Sequence, residues 1–110
     1  MNWIKITSLK DWEAAKEKSF QNTIIIFKHS TTCSISLATL ARFERQWNNE
    51  KPENIDAYFL DLLSFRPISN QIALDTAVTH QSPQLIVIKN GSAIYNASHN
   101  GINVEDIIEM

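Results

Sequence analysis

The single cysteine of this 110-residue chain lies in the segment His29-Ser30-Thr31-Thr32-Cys33-Ser34-Ile35-Ser36. A β-branched, nearly continuous apolar run, Thr23 to Lys28, precedes it. Ser36, Leu40, Phe43 and Trp47 follow at helical spacing. Cys33 is therefore expected where a buried strand hands over to the first turn of a helix, the place where reactive groups gather on open α/β sheets. Unpaired N–H groups and the positive end of the helix dipole favour a thiolate there, and the thiolate is the nucleophile of disulfide exchange. Cys33-Ser34-Ile35-Ser36 is a C-x-x-C pattern with serine in the second cysteine's place. The Thr32 and Ser36 hydroxyls are within sequence reach to donate to the sulfur, but a hydroxyl cannot resolve a mixed disulfide. Any exchange begun at Cys33 must end with an external thiol. A lone cysteine at an arbitrary position is more often an inert buried thiol; the strand-end placement and the flanking serines and threonines favour the reactive reading.

A second feature lies at Ser82-Pro83, directly before the apolar run Gln84 to Lys89. A proline in front of a core strand invites a cis peptide bond, and its predecessor's backbone is then open to an extended substrate. His29, His80 and His99 accompany the one thiol, but their spacing fits no standard zinc pattern, so no metal site is expected. His29 is read as a hydrogen-bonded or solvent-facing residue, His80 as packing or loop capping, and His99 as fixing a turn. Trp3, Trp12 and Trp47 fall at positions that read as core.

The elements that must position these groups are legible in outline. Strands are predicted at Trp3 to Ile6, Thr23 to Lys28, Ala57 to Leu62, Gln84 to Lys89 and Ser92 to Asn96. Asn90-Gly91 forms the hairpin turn between the last two. Helices are predicted from Ser8 as N-cap with Leu9, Trp12 and Phe20 on one face, from about Cys33 to Asn48, from Pro67 with Ile68 and Ile72 inward, and after Asn103 as a cap. The order β-α-β-α-β-α-β-β-α implies an α/β fold in which a mixed sheet lies between two helical layers. The Cys33 helix makes a right-handed parallel crossover, and the hairpin adds an antiparallel pair.

Composition narrows the function classes. The chain is 44% hydrophobic and 20% charged with a net charge of −2, which suits an ordinary globular core and offers no basic footprint for nucleic acid. Two glycines and three prolines leave no linker, so residues 1–110 read as a single domain. The apolar runs are far too short to span a bilayer and the N-terminus lacks a signal-peptide pattern, so cytoplasm is the expected compartment, with no membrane partner.

Residues Ile26 to Ser36, with Ser69-Asn70, Ile72-Ala73, His80 to Gln84 and Ala97-Ser98-His99, make the chain resemble the thioredoxin superfamily over nearly its whole length. Within it, the chain resembles the YtxJ family of monothiol bacilliredoxins. Where that family has proline after the cysteine, this chain has Ser34. The resemblance implies a thioredoxin-like three-layer sandwich with a central mixed sheet of four to five strands. It implies a monothiol thiol–disulfide oxidoreductase with no bound cofactor, whose co-substrate is the low-molecular-weight thiol bacillithiol and whose partners are S-thiolated client proteins. By that resemblance Cys33 is catalytic, Pro83 is the cis proline of the fold and Ser82 supplies backbone contacts to the substrate; Thr32, Ser34 and Ser36, around the thiol, are read as further substrate-binding residues. Two other readings are a thioredoxin-fold binding module without turnover and a monothiol glutaredoxin-like iron–sulfur carrier. The carrier's cysteine is followed by Gly-Phe-Ser, unlike Ser34-Ile35-Ser36 here.

Overall fold

In the computed structural model, which describes residues 1–110, five strands form one sheet. They are β1 (Ile4–Lys5), β2 (Thr23–His29), β3 (Ile55–Asp61), β4 (Gln84–Lys89) and β5 (Ser92–Ser98). The helices are α1 (Leu9–Lys18), α2 (Ser34–Glu50) and α3 (Arg66–Thr76). Spatial order is β1-β3-β2-β4-β5. β1 and β2 both run parallel to β3, whereas β4 runs antiparallel to β2 and to β5. The continuous apolar run of β2 is accounted for by its central position, since all seven of its residues are buried.

Strand periodicity divides the core into two faces. Ile24 and Ile26 pack with Trp12 and Ala15 of α1, Ile68 and Ile72 of α3, and Ile86 and Ile88 of β4. Ile25 and Phe27 pack on the other face with Phe43 of α2 and with Ile102, Val104 and Ile107. The mixed sheet between two layers thus matches the sequence reading. Local signals hold as well. The Ser8 hydroxyl accepts the Asp11 N–H at 3.1 Å as the N-cap of α1. Pro67 opens α3 and turns Ile68 and Ile72 inward. Asn90 and Gly91 both take positive φ, 54° and 79°, in the hairpin turn.

Two expectations fail. Leu9 and Phe20 do not line the inner face of α1, and stand 52% and 58% exposed. Trp12 and Ala15 alone make that face, and the Trp12 indole N–H donates to the Asp75 carboxylate of α3 at 2.7 Å. Phe20 lies beyond the helix end with its ring against Gly91, where a β-carbon would come within 2.8 Å. The helix expected after Asn103 is a 3₁₀ turn, Val104–Asp106, preceded by another at His99–Gly101. The Asn103 carboxamide does not cap it, because its oxygen accepts from Arg42 at 3.0 Å and Gln46 at 3.4 Å. Gln46 also accepts the Val104 N–H at 3.0 Å, so side chains of α2 supply the bonds that a helical turn would have made.

One residue breaks the apolar register of β2. Lys28 is fully buried on the α1/α3 face, and its ammonium donates to the Ser69 carbonyl of α3 at 3.1 Å. Burial, aided by repulsion from Arg66, lowers its pKa from 10.5 to about 8. The unfolded chain therefore binds more protons than the folded one between these values, and the lysine's contribution to stability rises as pH climbs through that window. Lys28→Met, which removes the buried charge at similar volume, is expected to stabilise the fold by about 1–3 kcal/mol at pH 7. Urea unfolding of both proteins from pH 7 to 10 checks this: the gap should narrow above pH 8, and a constant gap would contradict it.

Candidate active site

Cys33 is the N-cap of α2, one residue ahead of the first turn in which the spacing placed it. Its backbone is extended, with φ −101° and ψ 117°. Its N–H donates to the Ser30 carbonyl at 3.3 Å and its carbonyl accepts the Leu37 N–H at 3.0 Å. The thiol itself makes no capping hydrogen bond. The N–H groups of Ser34, Ile35 and Ser36 find no acceptor within the chain, so the positive end of the helix stays unpaired beside the sulfur. Cys33 is free and half-buried, between exposed Thr32 and exposed Ser34. Cys33 lines none of the surface clefts, and it sits half-buried on an open rim between two exposed residues.

Ser36 does not stand beside that thiol as a donor. It is fully buried, and its hydroxyl oxygen accepts the Ser30 N–H at 3.2 Å and lies 2.7 Å from His29 Nδ1. His29 packs between Phe27 and Phe59 and is almost fully buried. Burial lowers its pKa, opposed by the nearby carboxylates of Asp61 and Glu44. The contact between the Ser36 hydroxyl and His29 Nδ1 is a hydrogen bond whose donor is set by the tautomer of the ring. Ser36 therefore joins the end of β2 and the first residue of the loop to the first turn of α2. It is a fastener of the junction, and a correction to its expected contact with substrate.

The second segment lies at the same end of the neighbouring strand. Lys28 and Gln84 are register partners, so the residues after β2 and those before β4 emerge together. The Ser82–Pro83 bond is cis, as the sequence suggested. Pro83 is buried, and its carbonyl accepts the His99 N–H at 3.1 Å, which gives His99 its part in the turn after the hairpin. The Ser82 hydroxyl is buried without a partner, and the Ser82 main-chain N–H and carbonyl make no hydrogen bond within the chain. His80 sits on the α3 side, with Nδ1 3.4 Å from the Ser69 hydroxyl. His29 faces α2 and His99 is exposed, so the three histidines are dispersed, and no group of three His, Cys, Asp or Glu side chains assembles that could hold a metal ion.

Sequence reasoning named Lys28, Ser69 and Gln84 only within predicted strands or the family resemblance and gave them no role of their own; the structure joins Lys28 to Ser69, Ser69 to His80 and Gln84 to Thr79. The only available signal was a lysine inside an otherwise apolar strand.

Ser36→Ala strips the shared hydroxyl and leaves the Ser30 N–H and His29 Nδ1 buried and unpaired. It is expected to cost about 1–3 kcal/mol of stability at pH 7. Chemical denaturation checks this, and a loss below about 0.5 kcal/mol would contradict the fastening role.

The profile described as monothiol bacilliredoxin BrxC matches residues 4–107. A solved structure described as a candidate oxidoreductase with a thioredoxin fold is 31% identical, with a TM-score of 0.81 over 96% of this chain and 90% of its own. Thioredoxin from Fasciola hepatica matches at 14% identity and TM-score 0.74, over 96% of this chain and 95% of its own. Thioredoxin from Malassezia sympodialis matches at 16% identity and TM-score 0.75, over 98% of this chain and 89% of its own. At such low identity these two speak for the fold alone. The fold is thioredoxin-like, its function is thiol redox chemistry, and with the profile spanning β1 to the last turn, the chain belongs to the monothiol bacilliredoxin family.

Proposed function

We propose that this chain removes bacillithiol from protein mixed disulfides, with Cys33 as its nucleophile. The observation that carries the proposal is the disposition of the C-x-x-S segment: a free thiol on an open rim, while Ser36 is turned into the core and held by His29 and Ser30. No second thiol exists in the chain to compete for the intermediate.

The chemistry then runs in two exchanges. The Cys33 thiolate attacks the bacillithiol sulfur of the client's mixed disulfide. The client's thiolate leaves and takes up a proton, and a Cys33–bacillithiol disulfide remains. A second bacillithiol, as thiolate, attacks that disulfide at its bacillithiol sulfur, releasing oxidised bacillithiol and restoring the Cys33 thiolate. The client gains the two electrons and two molecules of bacillithiol become one disulfide, so the cycle balances with no bound cofactor. The unpaired N–H groups of the first turn of α2 stand at the positive end of the helix that Cys33 caps. Thr32 and Ser34 flank the sulfur with exposed hydroxyls able to meet the thiol being transferred.

Docking of the client draws on the open rim and on Ser82. A client segment passing Cys33 in extended form can pair with the free Ser82 N–H and carbonyl, as an added strand pairs with a sheet edge. An open rim accepts a thiolated side chain on a large protein, which an enclosed pocket would refuse.

The test uses a single-cysteine model protein carrying one bacillithiol, incubated with the chain and free bacillithiol, and release is followed by intact mass. Wild type is expected to release bacillithiol at least about a hundredfold faster than Cys33→Ala, because the thiolate is the attacking group. Equal rates would overturn the proposal in favour of a module that binds without turnover. A visible-absorbing cluster after anaerobic reconstitution with iron and sulfide would favour the carrier reading instead.

A further inference from the structure

Lys28 is costly where it stands. A buried ammonium surrounded by isoleucines loses hydration that one carbonyl acceptor does not replace. An apolar side chain of equal length would fill the same volume. The lysine does bond to the carbonyl of Ser69 and faces Gln84 across the sheet, and both of these residues lead to one loop.

That loop, 77–83, joins α3 to β4 and carries Ser82–Pro83. Within it no backbone N–H and carbonyl pair with each other. Its fastenings are few. The Gln84 carboxamide donates to the Thr79 carbonyl at 2.9 Å. His80 Nδ1 lies 3.4 Å from the Ser69 hydroxyl. The Pro83 carbonyl accepts the His99 N–H at 3.1 Å from the far side. Two of these three fastenings converge on Lys28. It donates to the carbonyl of Ser69, the residue whose hydroxyl meets His80. It is also the cross-strand partner of Gln84, so the two side chains share one face of the sheet. Gln84 is 1% exposed, and its carboxamide oxygen is buried with no hydrogen-bond partner. Burial first, then repulsion from Lys28 and Arg66, disfavours a proton on His80.

We propose that Lys28 and His80 are positioning residues for thiol exchange: with Ser69 and Gln84 they form a buried clamp that holds the Thr79–Pro83 segment at the height of Cys33. The assignment rests on the exchange reading above for its functional meaning, but the clamp itself is a property of the fold. Lys28 ties β2, which leads directly to Cys33, to the α3 turn from which His80 is held. The two halves of the site are thereby fixed to each other from beneath, with no contact to substrate.

Amide ¹⁵N relaxation and thiol-exchange kinetics on the full chain separate the clamp from the reading it serves. In Lys28→Met and in His80→Ala, the order parameters of the amides of residues 79–82 are expected to fall from the rigid range, about 0.85, to below about 0.6, while β1 and α1 stay unchanged. His80→Asn, which keeps a polar atom at the Nδ1 position, should restore most of the order. With the bacillithiolated model protein, Lys28→Met should raise KM by about tenfold and leave kcat within about twofold, while single exchange with the small disulfide cystamine changes by less than about twofold. A purely structural role would lower stability and both rates together, whereas Lys28→Met is expected to be the more stable protein. Unaltered loop amides in both variants would overturn the clamp. Altered amides alongside a wild type that shows no Cys33-dependent release would uphold the clamp and overturn the exchange reading.

Discussion

The hydroxyl of Ser36 is the point on which the site turns. It takes the N–H of Ser30 and faces His29 Nδ1 at 2.7 Å, so one oxygen closes the corner between the last residue of β2 and the first turn of α2. With that corner closed, the chain from Ser30 to Cys33 has little freedom, and Cys33 begins the helix with its sulfur outside the core. The same oxygen occupies the position at which a dithiol relative would carry its second sulfur. A monothiol site is therefore more than a dithiol site with a group deleted: the replacement has been drawn into the fold as a structural bond, which commits the sulfur to external partners.

The sheet supplies the rest of the constraint. β2 lies at its centre with every side chain buried, so its ends are fixed in height relative to β3 and β4. Registry with β4 brings the Ser82–Pro83 segment to the same rim as Cys33. Each face of β2 then ends in one polar residue. His29 looks toward α2 and secures the cysteine corner, and Lys28 looks toward α3 and secures the proline loop. Both are buried, both are pushed toward their neutral forms by desolvation, and both are satisfied only in part. Burial of groups that weaken a core, set directly beneath the rim, is where stability has been given up for placement.

Much of this frame could be read from residue order. Thr23 to Lys28 and Gln84 to Lys89 are too continuously apolar to be edge strands. Asn90-Gly91 allows little but a tight turn, and Pro67 and Ser8 mark helix starts through local chemistry. The lone thiol between strand and helix was equally legible. The failures share a cause, which is that a side chain was recruited by a partner far along the chain. Asn103 serves Arg42 and Gln46 instead of capping a helix. Phe20 leaves the face of α1 to cover Gly91. Ser36 carried the spacing of a site residue but was claimed by His29, and Lys28, the last residue of the predicted strand, is claimed by Ser69 and faces Gln84 across the sheet. Propensity and periodicity report on neighbours in sequence and are silent on such appointments.

The central claim is that one sulfur, presented on an open rim without a resolving partner, forms a lasting adduct with one kind of small thiol. Intact mass of the chain after separate exposure to oxidised bacillithiol, oxidised glutathione and the disulfide of coenzyme A tests it most directly. The account predicts a single bacillithiol adduct on Cys33, stable until free bacillithiol is added, and little gain from the other two. An unmodified chain in all three, or equal labelling by each, would contradict it.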